Sequence, residues 1–458
     1  MQLRVGMWFV AVSFALMACE NRPEPVAPLS APSEVSLSVS SEVTTDQHVF
    51  DMNTGIPDGF AEAVGQAGGS VAYSIDAIGV VVTRGLSDAA AQELAQGNGR
   101  VEQDVSLQWV PSLAEGEATT VEYDGVAPEA HNPATALFFA SDQWNMRQIE
   151  AHTAWMAGAQ APGVRVAILD TGLDDKHIDQ AGLIDMVASR AFTPSVSPVP
   201  GPPWRDDHFH GTHVGGIVVA NSVGVAGVAP HATLIAVKVL NASGNGTFGD
   251  IIAGIIYATD VGADVINMSL GATFPKSGLG TLVAALNKAV DYAHRHDVVV
   301  VSSAGNENED LQHNENRIKI PCESDVGMCI SATGPTQAKA SYSNYGSSAI
   351  HVAAPGGEIG VPSRGNFILS PCSTYSVRVP ACQRPGPGSP YRYLYVVGTS
   401  QAAPHVSGVA ALLRAQGYEQ ASQIITTIED TADDLGKPGT DQIYGRGRVN
   451  AARAWTDQ

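Results

Sequence analysis

Apolar residues fall along this chain in two rhythms. Stretches 164–169, 234–240, 264–270 and 298–302 are near-continuous apolar runs rich in Val, Ile and Ala, with helical stretches between them. Runs without polar alternation predict strands covered on both faces, hence a mostly parallel sheet and an α/β fold. An open sheet of this kind places its site beyond the carboxyl ends of its strands, which lines up Asp170, Ser269 and Asn306 on one rim. The earlier part of the chain reads differently. Residues 71–76 and 78–82 look like strands, 101–107 alternates like another, and 87–95 reads as a short helix with a capping signal. A small α+β unit therefore precedes the α/β one.

Composition and charge divide the chain in the same place. Net charge is −21, and residues 20–130 carry eighteen acids against three bases, with no lysine before Lys176. The asymmetry puts a boundary near residue 130 and argues against nucleic-acid binding, which wants a basic face. Arg4 ahead of an apolar run to Ala18, too short to span a bilayer, predicts a signal peptide over 1–18. Leu16 is wrong for ordinary signal cleavage, whereas Leu16-Met17-Ala18-Cys19 is similar to a bacterial lipobox. That similarity implies a lipidated Cys19, an exported protein and a membrane partner through the anchor. Residues 19–48, rich in Ser, Pro, Glu and Val, read as a flexible tether. Four further cysteines allow three connectivities; local pairing of Cys322 with Cys329 and of Cys372 with Cys382 is the expectation, in an exported protein that can oxidise them.

Three short blocks carry the chemistry: Asp170-Thr171-Gly172, His210-Gly211-Thr212-His213 and Gly398-Thr399-Ser400-Gln401-Ala402-Ala403-Pro404. A serine hydroxyl is a weak nucleophile at neutral pH, so it needs a base, and the base needs a group that fixes its tautomer. The order Asp, His, Ser separates this chain from the His-Asp-Ser and Ser-acid-His solutions. Ala402 breaks the G-x-S-x-G elbow. His208-x-His210-x-x-His213 imitates a metal cluster, but Thr212 stands where a second-metal aspartate is needed.

With these flanks the chain resembles the subtilisin-like serine proteases, from about Gln143 to Trp455. The resemblance implies a three-layer, mostly parallel sheet for a catalytic domain over 141–458, preceded by an inhibitory propeptide over 49–125. It assigns Ser400 as nucleophile, His210 as base, Asp170 as its orienting partner, and Asn306 with the Ser400 N–H as oxyanion donors. Pro404 is expected in the first turn of the Ser400 helix, where an N–H has no partner to lose. Gly244, Asn245 and Gly246 would pair an extended polypeptide substrate, while Ser269, Leu270, Gly271 and Ser303, Ala304, Gly305 would form two pocket walls favouring an uncharged side chain. Asp179, Asn221, Val223 and Val225 match the positions of a structural Ca²⁺ site; no organic cofactor is implied. The basic segment 363–395, with Arg364, Arg378, Arg384 and Arg392, borders the nucleophile in sequence and raises the idea of selection for acidic substrates. Two classes follow: a self-processed endopeptidase of the cell envelope or extracellular space, or a catalytically silent binding protein on the same scaffold.

Overall fold

The computed structural model describes residues 43–110, 119–123, 132–193, 197–277, 279–360, 365–384, 386 and 388–456. The signal segment, Cys19 and the first part of the tether lie outside the described residues. All described residues belong to one compact unit, Val39–Gln458.

The leading segment folds as β1 (Val43–Met52), α1 (Phe60–Gln66), β2 (Ser70–Ile75), β3 (Val80–Arg84), α2 (Asp88–Ala95) and β4 (Gly99–Gln108). Its strands form an antiparallel sheet in the order β2-β3-β1-β4. Ser87 caps α2 by accepting the Ala90 N–H at 3.3 Å. Residues 43–48, expected to be tether, are strand instead. Gln47 and His48 are buried there, and His48 bonds Asp88 at 2.9 Å. Polar residues turned inward hide a strand from any apolar count. β5 (Thr119–Tyr123), expected inside the propeptide, pairs with a strand of the catalytic part.

In that part, β6 (Arg165–Asp170), β7 (Arg190–Ala191), β8 (Thr233–Lys238), β10 (Val265–Met268), β12 (Val299–Ser303), β14 (Met328–Thr333) and β15 (Val352–Pro355) form one parallel sheet. Its order is β15-β14-β12-β10-β6-β8-β7. Three smaller pieces flank it: β9 (Asn245–Thr247), the ribbon of β11 (Ala272–Pro275) with β13 (Arg317–Ile320), and β16 (Ile368–Pro371) with β17 (Tyr391–Val396) beside β5. The helices that matter for the site are α3 (His210–Val218), α4 (Phe248–Asp260), α5 (Gly280–Arg295) and α6 (Thr399–Ala415).

Alternation along each central strand explains the layers. Val166 and Ile168 pack with Val214, Ile217, Val406 and Val409 of α3 and α6. Ala167 and Leu169 face the other way, against Ile251, Ile255, Leu282 and Leu286 of α4 and α5. Each buried aliphatic contributes about 1.5–3 kcal/mol, so a strand sandwiched on both faces reads as an unbroken apolar run. The leading sheet repeats the logic outside α4 and α5. Val49, Val80, Val82 and Val105 join that second core, while Phe50 and Val81 turn outward to Phe60, Val64 and Ala91 of α1 and α2.

Candidate active site

Asp170 ends β6 and is fully buried; His210 opens α3 and is nearly so. Both carboxylate oxygens lie 2.9 Å from His210 Nδ1, and one of them also accepts the Thr171 N–H at 2.7 Å. The close approach depends on glycine. A Cβ on Gly211 would stand 2.1 Å from the Gly172 carbonyl, and Gly172 itself has φ +112°.

A residue the motifs did not flag locks this junction. Asp206, fully buried, accepts from Thr171 Oγ1 (2.9 Å), the N–H groups of His208 (2.9 Å), Phe209 (3.2 Å) and Thr212 (3.0 Å), and Thr212 Oγ1 (2.6 Å). It therefore ties the residue after Asp170 to the start of the helix bearing His210. Burial raises its carboxyl to about 6, against the pull of the Lys238 ammonium and these donors. Lys238, also buried, donates to the Thr171 carbonyl and pairs with Asp207 at 2.8 Å. The other histidines of the block do not converge on a metal: His213 bonds the Leu394 carbonyl at 3.0 Å, and His208 stacks on Phe209. Burial lowers His213 to about 3, so it stays neutral.

Ser400 is the second residue of α6. Its hydroxyl donates to the Ser269 carbonyl at 3.1 Å rather than to His210, and the Ser269 hydroxyl donates back to the Ser400 carbonyl at 2.8 Å. Pro404 is not in the first turn, as expected, but inside the helix. It cannot serve the carbonyl four residues back, which is that of Ser400; the Ser269 hydroxyl supplies the missing donor. Asn267 holds Ser269 at 2.9 Å and accepts from Ser407 at 2.8 Å, so β10 positions the segment bearing Ser400. Asn306 Oδ1 accepts from Thr399 N and Oγ1, both at 2.9 Å. Its amide N–H₂ bonds no protein group among the described residues, which leaves it able to donate to a ligand.

Gly244, Asn245 and Gly246, expected to pair a substrate, are paired by the leading segment itself. β4 pairs antiparallel with β9, Leu107 opposite Gly246 and Gln108 opposite Asn245. Trp109 N–H donates to the Gly244 carbonyl (3.0 Å), its indole to the Gly246 carbonyl (3.0 Å), and the Gly271 N–H to the Trp109 carbonyl (3.1 Å). The indole is buried against Phe248 and Phe274. Two flanking chain edges thus grip an extended peptide. Ser303, Ala304 and Gly305 continue from β12 toward Asn306.

The Ca²⁺ positions do not fit a cation. Asp179 accepts from the N–H groups of Val223 (2.8 Å), Gly224 (2.9 Å) and Val225 (3.1 Å) and from the Tyr393 hydroxyl (2.7 Å). Asn221 spends its amide donors on the carbonyls of Ile178 and Ala181, each at 2.8 Å. Calcium wants oxygens turned toward it, whereas this loop turns N–H groups inward onto a carboxylate already satisfied. Both local disulfides are present, Cys322–Cys329 and Cys372–Cys382. Two arginines of the second loop point away from any selective role: Arg392 pairs with Glu122 at 2.7 Å and Arg384 lies 3.7 Å over the Tyr391 ring. Arg378 alone reaches the cleft rim, donating to the Ala242 carbonyl at 2.7 Å and to Ser243; Arg364 lies outside the described residues.

Residues 161–447 match the model of the subtilase family. The chain is 37% identical over 320 residues to "Thermitase" of Thermoactinomyces vulgaris, covering 69% of this chain and 97% of the relative. It is 35% identical over 314 residues to "Subtilisin Savinase" of Lederbergia lenta, covering 68% and 97%. The crystal structure of the epidermin leader peptide processing serine protease of Staphylococcus aureus superimposes with a TM-score of 0.70 over 91% of this chain and 98% of that one, at 22% identity, a likeness of fold. The chain belongs to the subtilase family of serine-type endopeptidases.

Proposed function

We propose that this endopeptidase works through Ser400, His210 and Asp170, and that it is made as a precursor whose leading segment blocks the cleft. The observation that carries the reading is the Asp170–His210 pair. With both carboxylate oxygens on Nδ1, the imidazole is held in the tautomer whose Nε2 accepts a proton. Rotation of Ser400 away from the Ser269 carbonyl gives its proton to Nε2 as Oγ bonds the peptide carbon. The carbonyl electron pair moves onto oxygen, where Asn306 Nδ2 and the Ser400 N–H stabilise it; Thr399 holds the Asn306 amide in place. Collapse breaks the C–N bond, and Nε2 returns the proton to the departing amine. Water then repeats the cycle on the acyl-enzyme.

The way β4 lies along β9, with Trp109 between Gly244 and Gly271, supports inhibition by a chain segment bound as a substrate would be. Extended polypeptides use the same main-chain acceptors and donor once it leaves. Cys19 in its lipobox-like setting supports export and anchoring to an envelope membrane.

With both chains expressed at full length, a serine-reactive fluorophosphonate should label the matured wild type and leave Ser400→Ala unlabelled. The variant should lose activity by about 10⁴-fold or more and accumulate uncut. Processing and activity retained in Ser400→Ala would overturn the assignment.

A further inference from the structure

The two pocket walls do not enclose an open slot. Lys319, on β13, is buried, and its side chain runs between them: a Cβ on Gly305 would lie 2.6 Å from Lys319 Cε, and one on Gly271 would lie 3.3 Å from the same atom. The lysine stem therefore packs against both glycine backbones. Its ammonium ends 2.8 Å from Glu307 Oε1, one residue past Asn306. Glu307 is fixed in turn by the Asn344 amide at 2.6 Å, and Asn344 also donates to the Ala304 carbonyl at 2.9 Å. Burial favours the neutral acid at Glu307, yet the Lys319 charge and these donors outweigh it and hold the carboxyl below its ordinary value. Glu307 thus stays a carboxylate, and the pair is part of the wall.

Resting on the catalytic reading above, we propose that Lys319 closes the pocket for the residue before the scissile bond, so that the enzyme cleaves after short side chains and disfavours large aromatic or basic ones. Two physical effects act together. An aromatic ring sliding between Gly271 and Gly305 meets the lysine stem, which can leave only by breaking a buried ion pair. Apolar surface placed there would also bury an ammonium with a single anionic partner, which is costly. A basic side chain meets the same positive charge. A short side chain stops before reaching it.

The test uses mature enzyme and a peptide series differing only in that residue: Ala, Ser, Glu, Phe or Lys. Cleavage of an unfolded protein, followed in parallel, reports the peptidase reading itself; the series reports the pocket. Wild type should favour Ala and Ser over Phe and Lys by about tenfold or more in kcat/KM. Lys319→Ser should raise the kcat/KM ratio of Phe to Ala by about tenfold, whereas Lys319→Met, whose stem is as long but is no longer held by an ion pair, should raise it less. Glu307→Gln, which frees the ammonium, should raise Glu by about tenfold while leaving Phe low. Active wild type that prefers Phe, or the same profile in Lys319→Ser, overturns the inference. Should Lys319→Ser fail to fold, the wild-type and Glu307→Gln profiles decide alone.

Discussion

Two junctions in this molecule use the same chemistry to opposite ends. Behind His210, the Asp206 carboxylate collects the donors at the start of α3. At the seam with the leading segment, Asp104 of β4 accepts the N–H groups of Phe248 (3.0 Å) and Gly249 (2.9 Å) at the start of α4. Glu102 does likewise for Thr281 at 2.9 Å, at the start of α5. Helix starts expose unpaired donors and a partial positive charge, so a carboxylate suits both places. The difference is what each carboxylate is attached to. Asp206 belongs to the scaffold it caps and holds Thr171 as well. In the precursor reading proposed above, Asp104 and Glu102 cap helices from which they part, and on separation water serves both sides. Permanence comes from connectivity, not from the strength of the bond.

Substitution should separate the two most sharply. Asp206→Ala leaves buried donors unmet and should cost the mature enzyme about 3–5 kcal/mol, read from its urea midpoint, together with most of its activity. Asp104→Ala should leave the mature midpoint unchanged and weaken only retention of the cut segment. Equal effects of the two on mature stability would erase the distinction.

Loss of protons should loosen the seam with the leading segment. Burial raises Asp104 to about 6 despite the Phe248, Gly249 and Val105 N–H groups. Burial and then the Asp104 charge raise Asp250 to about 7. Asp250 accepts from the Tyr73 hydroxyl at 3.1 Å, with Thr247 and Arg84 nearby, Arg190 beyond Tyr73, and one oxygen buried without a partner. A carboxyl whose pKa is higher in the docked state holds its proton more tightly there. Docking is therefore strongest below about pH 4, and that advantage is lost as pH rises through about 6 and 7, by up to tenfold per pH unit for each proton released. After cleavage, size-exclusion chromatography should find the segment retained at pH 5 and shed at pH 8. Asp250→Asn should flatten the dependence; tighter retention at pH 8 would reverse the assignment.

Asp179 is a third carboxylate of the permanent kind, and it gives the smallest expected effect. Adding Ca²⁺ or a chelator should move the thermal midpoint by no more than about 1 °C, whereas Tyr393→Phe should lower stability by about 1–2 kcal/mol. A calcium-induced rise that vanishes in Asn221→Ala would show the loop to be a cation site after all.

Much of this was legible in the chain because the relevant signals are local. The catalytic blocks, the Ser87 cap and the neighbouring cysteine pairs each sit within a few residues. What stayed hidden depends on partners far along the chain. β1 was masked by inward-facing Gln47 and His48, and β5 by pairing with β17. Nothing near Lys319 announces that it lies between two glycines some 14 and 48 residues earlier. Pro404 read as a first-turn residue because its substitute donor, the Ser269 hydroxyl, is 131 residues away from the Ser400 carbonyl it serves. Asp179 matched a metal position in sequence, but only the orientation of the 223–225 peptides and the arrival of Tyr393 decide what it binds.

Once the leading segment departs, the short ribbon at Asn245–Thr247 loses its neighbour and faces water with its main-chain groups unmatched. Three residues make too brief an edge to recruit whole sheets from other molecules, the usual hazard of a bare strand. They are enough to seize one passing chain for a moment, so the place the leading segment leaves is itself suited to capture.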